Sequence, residues 1–414
     1  MYSLDTMFTS TSTGRVAAFF QFLGVGLLGL ALSLACLPAS SHAQSQDDDE
    51  DSFPTIDLSV NLMQSAQALT VDDENAPAAS AGVSSGSYSG FHQVRAGLNA
   101  SVQFSDRVSG LLMLEAEPND FGTNGFAPAV DFVTIDLALT DALTFRTGTP
   151  VTGLINFRGF SDGPVTQGNP LIGNSPADMI TAAHGVKLIG TYETFGFDVT
   201  VNRSFGEDFT TTDYTGVNVI GKVRYTGSPL FKVGAGGAFH TGDGVPPNSP
   251  EVQDGQNGLV FANGDRENYN LIGGGATSST HTHVNMPSGT IVQADAKLTP
   301  GPAADIDAWV GYATDDEDEV GTVFKSAFFG GIGAKANLTP DFYLAGRFTY
   351  VGNTSEDAPD DHTTVSRIQV GFGYEVFDRA LFKIEGVRQV EGVNSNGQDG
   401  NNWSGVTTEI SLNF

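Results

Sequence analysis

Basic residues are scarce in this chain, 19 Lys and Arg against 48 Asp and Glu in 414 residues, and their placement is informative. Arg95, Arg146, Lys187, Lys222, Arg224, Lys232, Lys297, Lys335, Arg347, Arg367 and Lys383 each occupy the polar phase of a short segment in which apolar and polar residues alternate. Asp57, Glu115, Asp136, Asp198, Asp295, Asp307, Glu375, Glu385 and Glu409 share that phase. Charges of both signs on one face of a sheet can pair as salt bridges that stiffen it, or line a water-filled channel. A dry core would not tolerate so many of them, whereas a water-filled interior would, because each keeps most of its hydration.

Other chemistries find less support. His281 and His283 in "THTH" fall on one face of an extended segment, a spacing that two ligands of one metal could use, but they stand in a long polar loop and no metal site is expected. His92, His184, His240 and His362 lie near segment ends without a Ser or Asp motif beside them, so no catalytic residue is expected. "GGGA" (273–276) lacks the strand and helix that would make it a phosphate loop, and no cofactor is expected. The formal net charge of −29 excludes nucleic acid as a partner. Its acids cluster in "DDDED" (47–51), "DDE" (72–74), "DDEDE" (315–319) and "EDAPDD" (356–361), all between the alternating segments.

The segments that must hold these charges are short and numerous. In 94–104 Val94, Ala96, Leu98, Ala100, Val102 and Phe104 take one face and Arg95, Gly97, Asn99, Ser101 and Gln103 the other. The same period of two marks a strand near 55–66, 91–104, 108–117, 131–140, 143–149, 184–192, 196–204, 216–226, 230–240, 290–298, 305–314, 324–338, 342–351, 364–376, 380–390 and 403–414. Frequent Gly, 51 residues, and Phe, 29 residues, suit many strands joined by tight turns.

Connections between them alternate in length. Short ones fall at 105–107, 141–142, 193–195, 227–229, 300–305, 339–341 and 377–379. Long ones fall at 67–90, 118–130, 150–183, 205–215, 241–289, 315–323, 352–363 and 391–402. This places all short turns at one end of an antiparallel meander and all long loops at the other, the layout of a transmembrane barrel whose strands of about ten residues cross the hydrocarbon layer at a tilt. Lipid offers no partner to an open sheet edge, so such a sheet closes on itself. The terminal "EISLNF" then becomes the closing strand, with Phe414 at the membrane interface.

At the N-terminus Arg15 precedes the apolar run "VAAFFQFLGVGLLGLALSLAC", and small residues at Ser41 and Ala43 mark a cleavage site. The sequence divides into a signal peptide at 1–43, an acidic segment at 44–54 and a barrel at 55–414. Cleavage removes Cys36, the only cysteine, so no disulfide is expected.

With its export signal, alternating loops, strand number and terminal Phe, the chain resembles the general bacterial outer-membrane porins. The resemblance implies an all-β, closed antiparallel barrel of sixteen strands, with short periplasmic turns and long extracellular loops. It also implies contact with outer-membrane lipid, a homotrimer, and Phe414 as the signal read by the barrel assembly machinery. The loop 150–183, rich in Gly and Pro and carrying Leu154, Ile155, Phe157, Phe160, Leu171 and Ile172, corresponds to the porin loop that folds inward. By that analogy Arg158, Asp162 and Asp178 face wall bases such as Arg95 and Arg146 across a constriction, with Lys187, Lys222, Arg224, Arg347 and Arg367 lining the pore. The implied function is passive diffusion of small hydrophilic solutes and ions across the cell outer membrane. Acidic mouths would favour cations and basic walls anions, so a phosphate- or sugar-selective porin is the second reading, although Tyr343 and Trp309 are too few inward aromatics for a sugar path; an outer-membrane barrel enzyme or an adhesin is the alternative of another class.

Overall fold

Alternating segments of this kind have one face for lipid and one for water, and each of the sixteen forms a strand. The computed structural model describes residues 53–71, 86–116, 129–150, 152–154, 156–157, 169–173, 179–181, 185–203, 217–241, 259–261, 285–286, 289–315, 326–353, 364–391 and 402–414. The expected signal peptide at 1–43, the acidic segment before Phe53, and His281 and His283 lie outside the described residues.

The strands are β1 (Thr55–Val71), β2 (Gly86–Ser105), β3 (Val108–Ala116), β4 (Ala129–Thr140), β5 (Leu143–Gly148), β6 (Thr152–Gly153), β7 (Met179–Thr181), β8 (Gly185–Tyr192), β9 (Phe195–Arg203), β10 (Val217–Tyr225), β11 (Phe231–Thr241), β12 (Leu259–Phe261), β13 (Asn285–Met286), β14 (Gly289–Gly301), β15 (Ala304–Asp315), β16 (Ser326–Asn337), β17 (Phe342–Asn353), β18 (Thr364–Phe377), β19 (Ala380–Glu391) and β20 (Trp403–Asn413). Sixteen of them close a barrel in the order β1-β2-β3-β4-β5-β8-β9-β10-β11-β14-β15-β16-β17-β18-β19-β20. Every neighbouring pair is antiparallel, and β1 closes the ring on β20 from Asn61↔Asn413 to Val71↔Trp403. Phe414 extends the closure: its N–H donates to the Val60 carbonyl at 2.9 Å, and the Val60 N–H donates to its carbonyl at 3.0 Å.

The burial pattern is inside out relative to a protein in water. Ile56, Leu58, Val223, Ile332 and Val370 stand exposed on the outer face, at 60%, 66%, 59%, 52% and 61%, while Arg367, Gln369, Lys383 and Glu385 on the inner face are at 1% or less. Such an outer surface is stable only in apolar surroundings. At its short-turn end, outward aromatics pair across strands, Phe195 with Tyr225 at 5.3 Å between ring centroids, Tyr225 with Phe231 at 6.1 Å, and Phe342 with Phe372 at 5.5 Å. Amphipathic rings in this position suit a membrane interface.

Three details differ from the sequence reading. β1 and β2 run on to Val71 and back to Gly86, past the expected 66 and 91, because Ala66↔Phe91 to Val71↔Gly86 keep pairing beyond an irregularity at Ser65. The turn expected at 300–305 is shorter, since Gly301 pairs with Ala304. The third is a second sheet of four strands, ordered β13-β12-β7-β6. In it the loop 150–183 pairs with the loop 241–289 through Val260↔Ile180 and Phe261↔Met179.

Gly148 ends β5 where the inward loop departs, at φ 120°. A Cβ there would lie 2.0 Å from the Val133 carbonyl oxygen, the same oxygen that accepts from the Thr149 N–H at 2.8 Å. Gly148→Ala is therefore expected to cost about 3 kcal/mol of barrel stability, read as a lower urea midpoint of the detergent-folded protein. An unchanged midpoint would show that this departure is not constrained.

Candidate functional site

The inner wall owes its polarity to strand parity. When Leu344, Phe348 and Tyr350 of β17 face out, Tyr343, Ala345, Arg347, Thr349 and Val351 must face in, and their burial follows that division. Sixteen strands enclose a lumen too wide for wall side chains to fill. The described parts of the loop between β5 and β8 lie against this inner wall.

That loop is held in two places. On its outgoing limb Leu154 joins a buried apolar cluster with the inward residues Ile220, Ala238, Ile291, Trp309 and Phe329. Next to it Asn156 donates to Asp295 of β14 twice, from its backbone N–H and its side-chain Nδ2, each at 2.8 Å. Gly234 leaves the room, because a Cβ there would meet the Asn156 Nδ2 at 2.3 Å.

On the returning limb Leu171 packs against Tyr343 and Ala345. The Ile172 and Gly173 N–H groups donate to one Glu385 oxygen at 2.5 and 3.2 Å. The Gly173 carbonyl accepts from Arg347 and, at 2.9 Å, from Gln369 Nε2. Gln369 in turn donates to the other Glu385 oxygen at 2.9 Å and accepts from Arg347 Nε at 2.9 Å. Three strands, β17, β18 and β19, thus contribute one side chain each to a latch on a single loop turn. Around the ring, six strands separate β8 from β17 on one side and five separate β19 from β5 on the other, so the loop reaches the far wall.

Among the charges expected to line the lumen, two groups come together. Arg146 makes a bidentate pair with Asp136, Nε to Oδ1 and Nη2 to Oδ2, each at 2.7 Å. Arg146 is also the register partner of Lys187. Asp198 receives Arg224 Nη1 at 2.9 Å and has Lys222 Nζ at 3.9 Å. Arg224 lies flat over Gly196, where a Cβ would sit 2.8 Å from Nε. Arg347 belongs to the latch, and Arg367, on the same wall, donates to Gln389 from Nε at 2.7 Å and lies 5.3 Å from the Trp403 ring. Arg95 is buried on the inner face of β2. Arg158, Asp162 and Asp178 lie outside the described residues. Phe414 faces outward and is exposed.

Sequence reasoning missed Asn156, Gln369 and Gln389, neutral side chains that carry no signal in a charge pattern. Apolar Leu154 and Leu171 were the legible part of the latch, as residues that would not be left in solvent.

The sequence matches no family model and no curated protein. The fold does have solved relatives. The outer-membrane channel DcaP of Acinetobacter baumannii is 10% identical with a TM-score of 0.56, over 90% of this chain and 100% of that one. An anion-selective porin from Comamonas acidovorans is 13% identical with a TM-score of 0.54, over 87% and 100%. OmpT, an outer membrane protein of Vibrio cholerae in a trimer form, is 13% identical with a TM-score of 0.53, over 87% and 99%. At these identities the likeness is one of fold, and the fold is the sixteen-stranded barrel of outer-membrane porins.

Proposed function

We propose that this chain is an outer-membrane porin that lets small hydrophilic solutes and ions diffuse passively through a lumen narrowed by the loop 150–183. The observation that carries the reading is the latch of Ile172 and Gly173 on Glu385, Gln369 and Arg347. A loop drawn across the lumen and bonded to the opposite wall sets an aperture, which an adhesin or a purely structural barrel has no use for. The charged inner wall supports the same reading, since polar groups of both signs keep permeating solutes hydrated. The exposed apolar outer face supports localisation in the outer membrane, and the signal peptide expected at 1–43 would supply the export this requires. The trimer form of the Vibrio cholerae protein supports a homotrimer here.

Single-channel recording on the refolded mature chain tests both statements together. Stable current is expected to appear in insertions of three equal levels that close one at a time under voltage. A folded, heat-modifiable barrel that passes no current would overturn the channel, and single isolated levels would overturn the trimer.

A further inference from the structure

We propose that β12 is a clasp by which the loop 241–289 governs how firmly the inward loop is held, and hence how often the pore closes; this rests on the channel reading above. The order of strands in the second sheet carries it. β6 and β7 are the two ends of the inward loop, paired to each other through Thr152↔Thr181 and Gly153↔Ile180. On its other edge β7 pairs with β12, so Ile180 stands between Gly153 and Val260. β12 in turn pairs with β13 through Leu259↔Met286 and Val260↔Asn285. β13 ends at Met286, just before β14 begins at Gly289, and β14 is the wall strand whose Asp295 receives Asn156. The sheet therefore ties the neck of one loop to the root of the other.

The returning limb of the inward loop is thereby fixed at both ends. Ile172 and Gly173 are bonded to Glu385 on the far wall, and Met179 to Thr181 lie in the second sheet. Only six peptide steps separate Gly173 from Met179, a covalent reach of at most about 21 Å. With both ends held, a limb that short cannot swing away from the path between them. Released at one end, it can.

The near end is the one built to let go. Barrel strands pair over many residues, from Phe231↔Leu298 to Phe239↔Thr290 for β11 with β14 and from Ala327↔Asn353 to Asn337↔Tyr343 for β16 with β17. β12 meets β7 only at Val260↔Ile180 and Phe261↔Met179. An element with so few backbone bonds opens locally while the rest of the fold stays closed. That is what a switch inside a membrane barrel requires, since the barrel itself cannot open an edge to lipid.

The test is single-channel recording on the refolded chain 44–414, which has no cysteine, as wild type and with two kinds of change. Opposed residues of an antiparallel pair have Cα atoms about 4.5 to 5.5 Å apart, within the span of a disulfide. Ile180→Cys with Val260→Cys is therefore expected to cross-link on oxidation. The oxidised channel is expected to close under voltage roughly tenfold less often than wild type, and dithiothreitol to restore the wild-type rate. Val260→Pro with Phe261→Pro removes whichever N–H of β12 points at β7, because successive N–H groups point to opposite edges. Closures are expected to become roughly tenfold more frequent, the effect of losing one or two backbone hydrogen bonds. Thr277→Pro with Ser278→Pro, elsewhere in the same loop, is expected to leave the rate unchanged. A cross-linked channel that closes as often as wild type would overturn the clasp and leave the channel standing. So would a conducting channel whose paired cysteines fail to cross-link, or equal effects of the two proline pairs, which would reduce the clasp to general loop stiffness. Absence of any current from the wild type would overturn both readings.

Discussion

Glu385→Ala is expected to raise single-channel conductance by roughly half or more and to make the open level noisy, while the barrel itself stays folded. Glu385 accepts the Ile172 and Gly173 N–H groups and Gln369 Nε2. A hydrogen bond to a charged group is worth about 1.5 to 3 kcal/mol, and this one side chain accepts both of the amide bonds described for the returning limb. Its loss also leaves Gln369 without an acceptor for the bond that orients it toward the Gly173 carbonyl. What remains is the packing of Leu171 on Tyr343 and Ala345 and the Arg347 and Gln369 bonds to the Gly173 carbonyl, which hold the loop near the wall without fixing it. The ladder pairing of Glu385 with Gly371 and Thr407 uses only its backbone, which alanine keeps, so heat-modifiable migration of the purified protein should be retained. That separates an open aperture from a misfolded barrel. Glu385→Gln keeps an acceptor in place and should sit between alanine and wild type. Conductance that is unchanged in Glu385→Ala, with the fold retained, would mean that the loop does not set the aperture.

The difference between what the sequence showed and what it hid has a physical origin. Lipid on one side and water on the other impose a strict period of two, so Val94 to Phe104 could be assigned to faces without any coordinates, and Arg146, Lys187 and Lys222 with them. Loop lengths carried the topology for a similar reason, since turns at one end are short and loops at the other long. The loop 150–183 is under neither constraint. Its composition announced that it would not stay in solvent, but whether Glu385 or Glu409 would receive its amides depends on the rise and tilt of strands across the lumen. Glu409 instead pairs with Lys383 at 2.9 Å. The pairing of Ile180 with Val260 was hidden more completely. It joins two loops about eighty residues apart through three-residue strands, too short for a period to be seen.

Removal of the last five residues, Ile410 to Phe414, is expected to abolish the barrel altogether: no heat-modifiable species on refolding, and no accumulation in the outer-membrane fraction. The strand β20 bonds on both edges, to β19 from Ala380↔Leu412 onward and to β1 from Asn61↔Asn413 onward. Cutting it at Glu409 strips partners from Asn61 to Gln64 on one side and Ala380 to Phe382 on the other. Each backbone group left unpaired in hydrocarbon costs several kcal/mol, which together exceed the whole stability of an ordinary domain. Phe414→Ala should behave differently, because the two bonds with Val60 use only its backbone and its side chain is exposed on the outer face. The refolded variant should therefore conduct like wild type, while its level in the outer membrane of cells falls several-fold if the aromatic terminus is what the assembly machinery reads. Normal levels in cells would remove Phe414 from that role and leave it a membrane-interface residue; failure to refold in vitro would instead place its side chain in the closure itself.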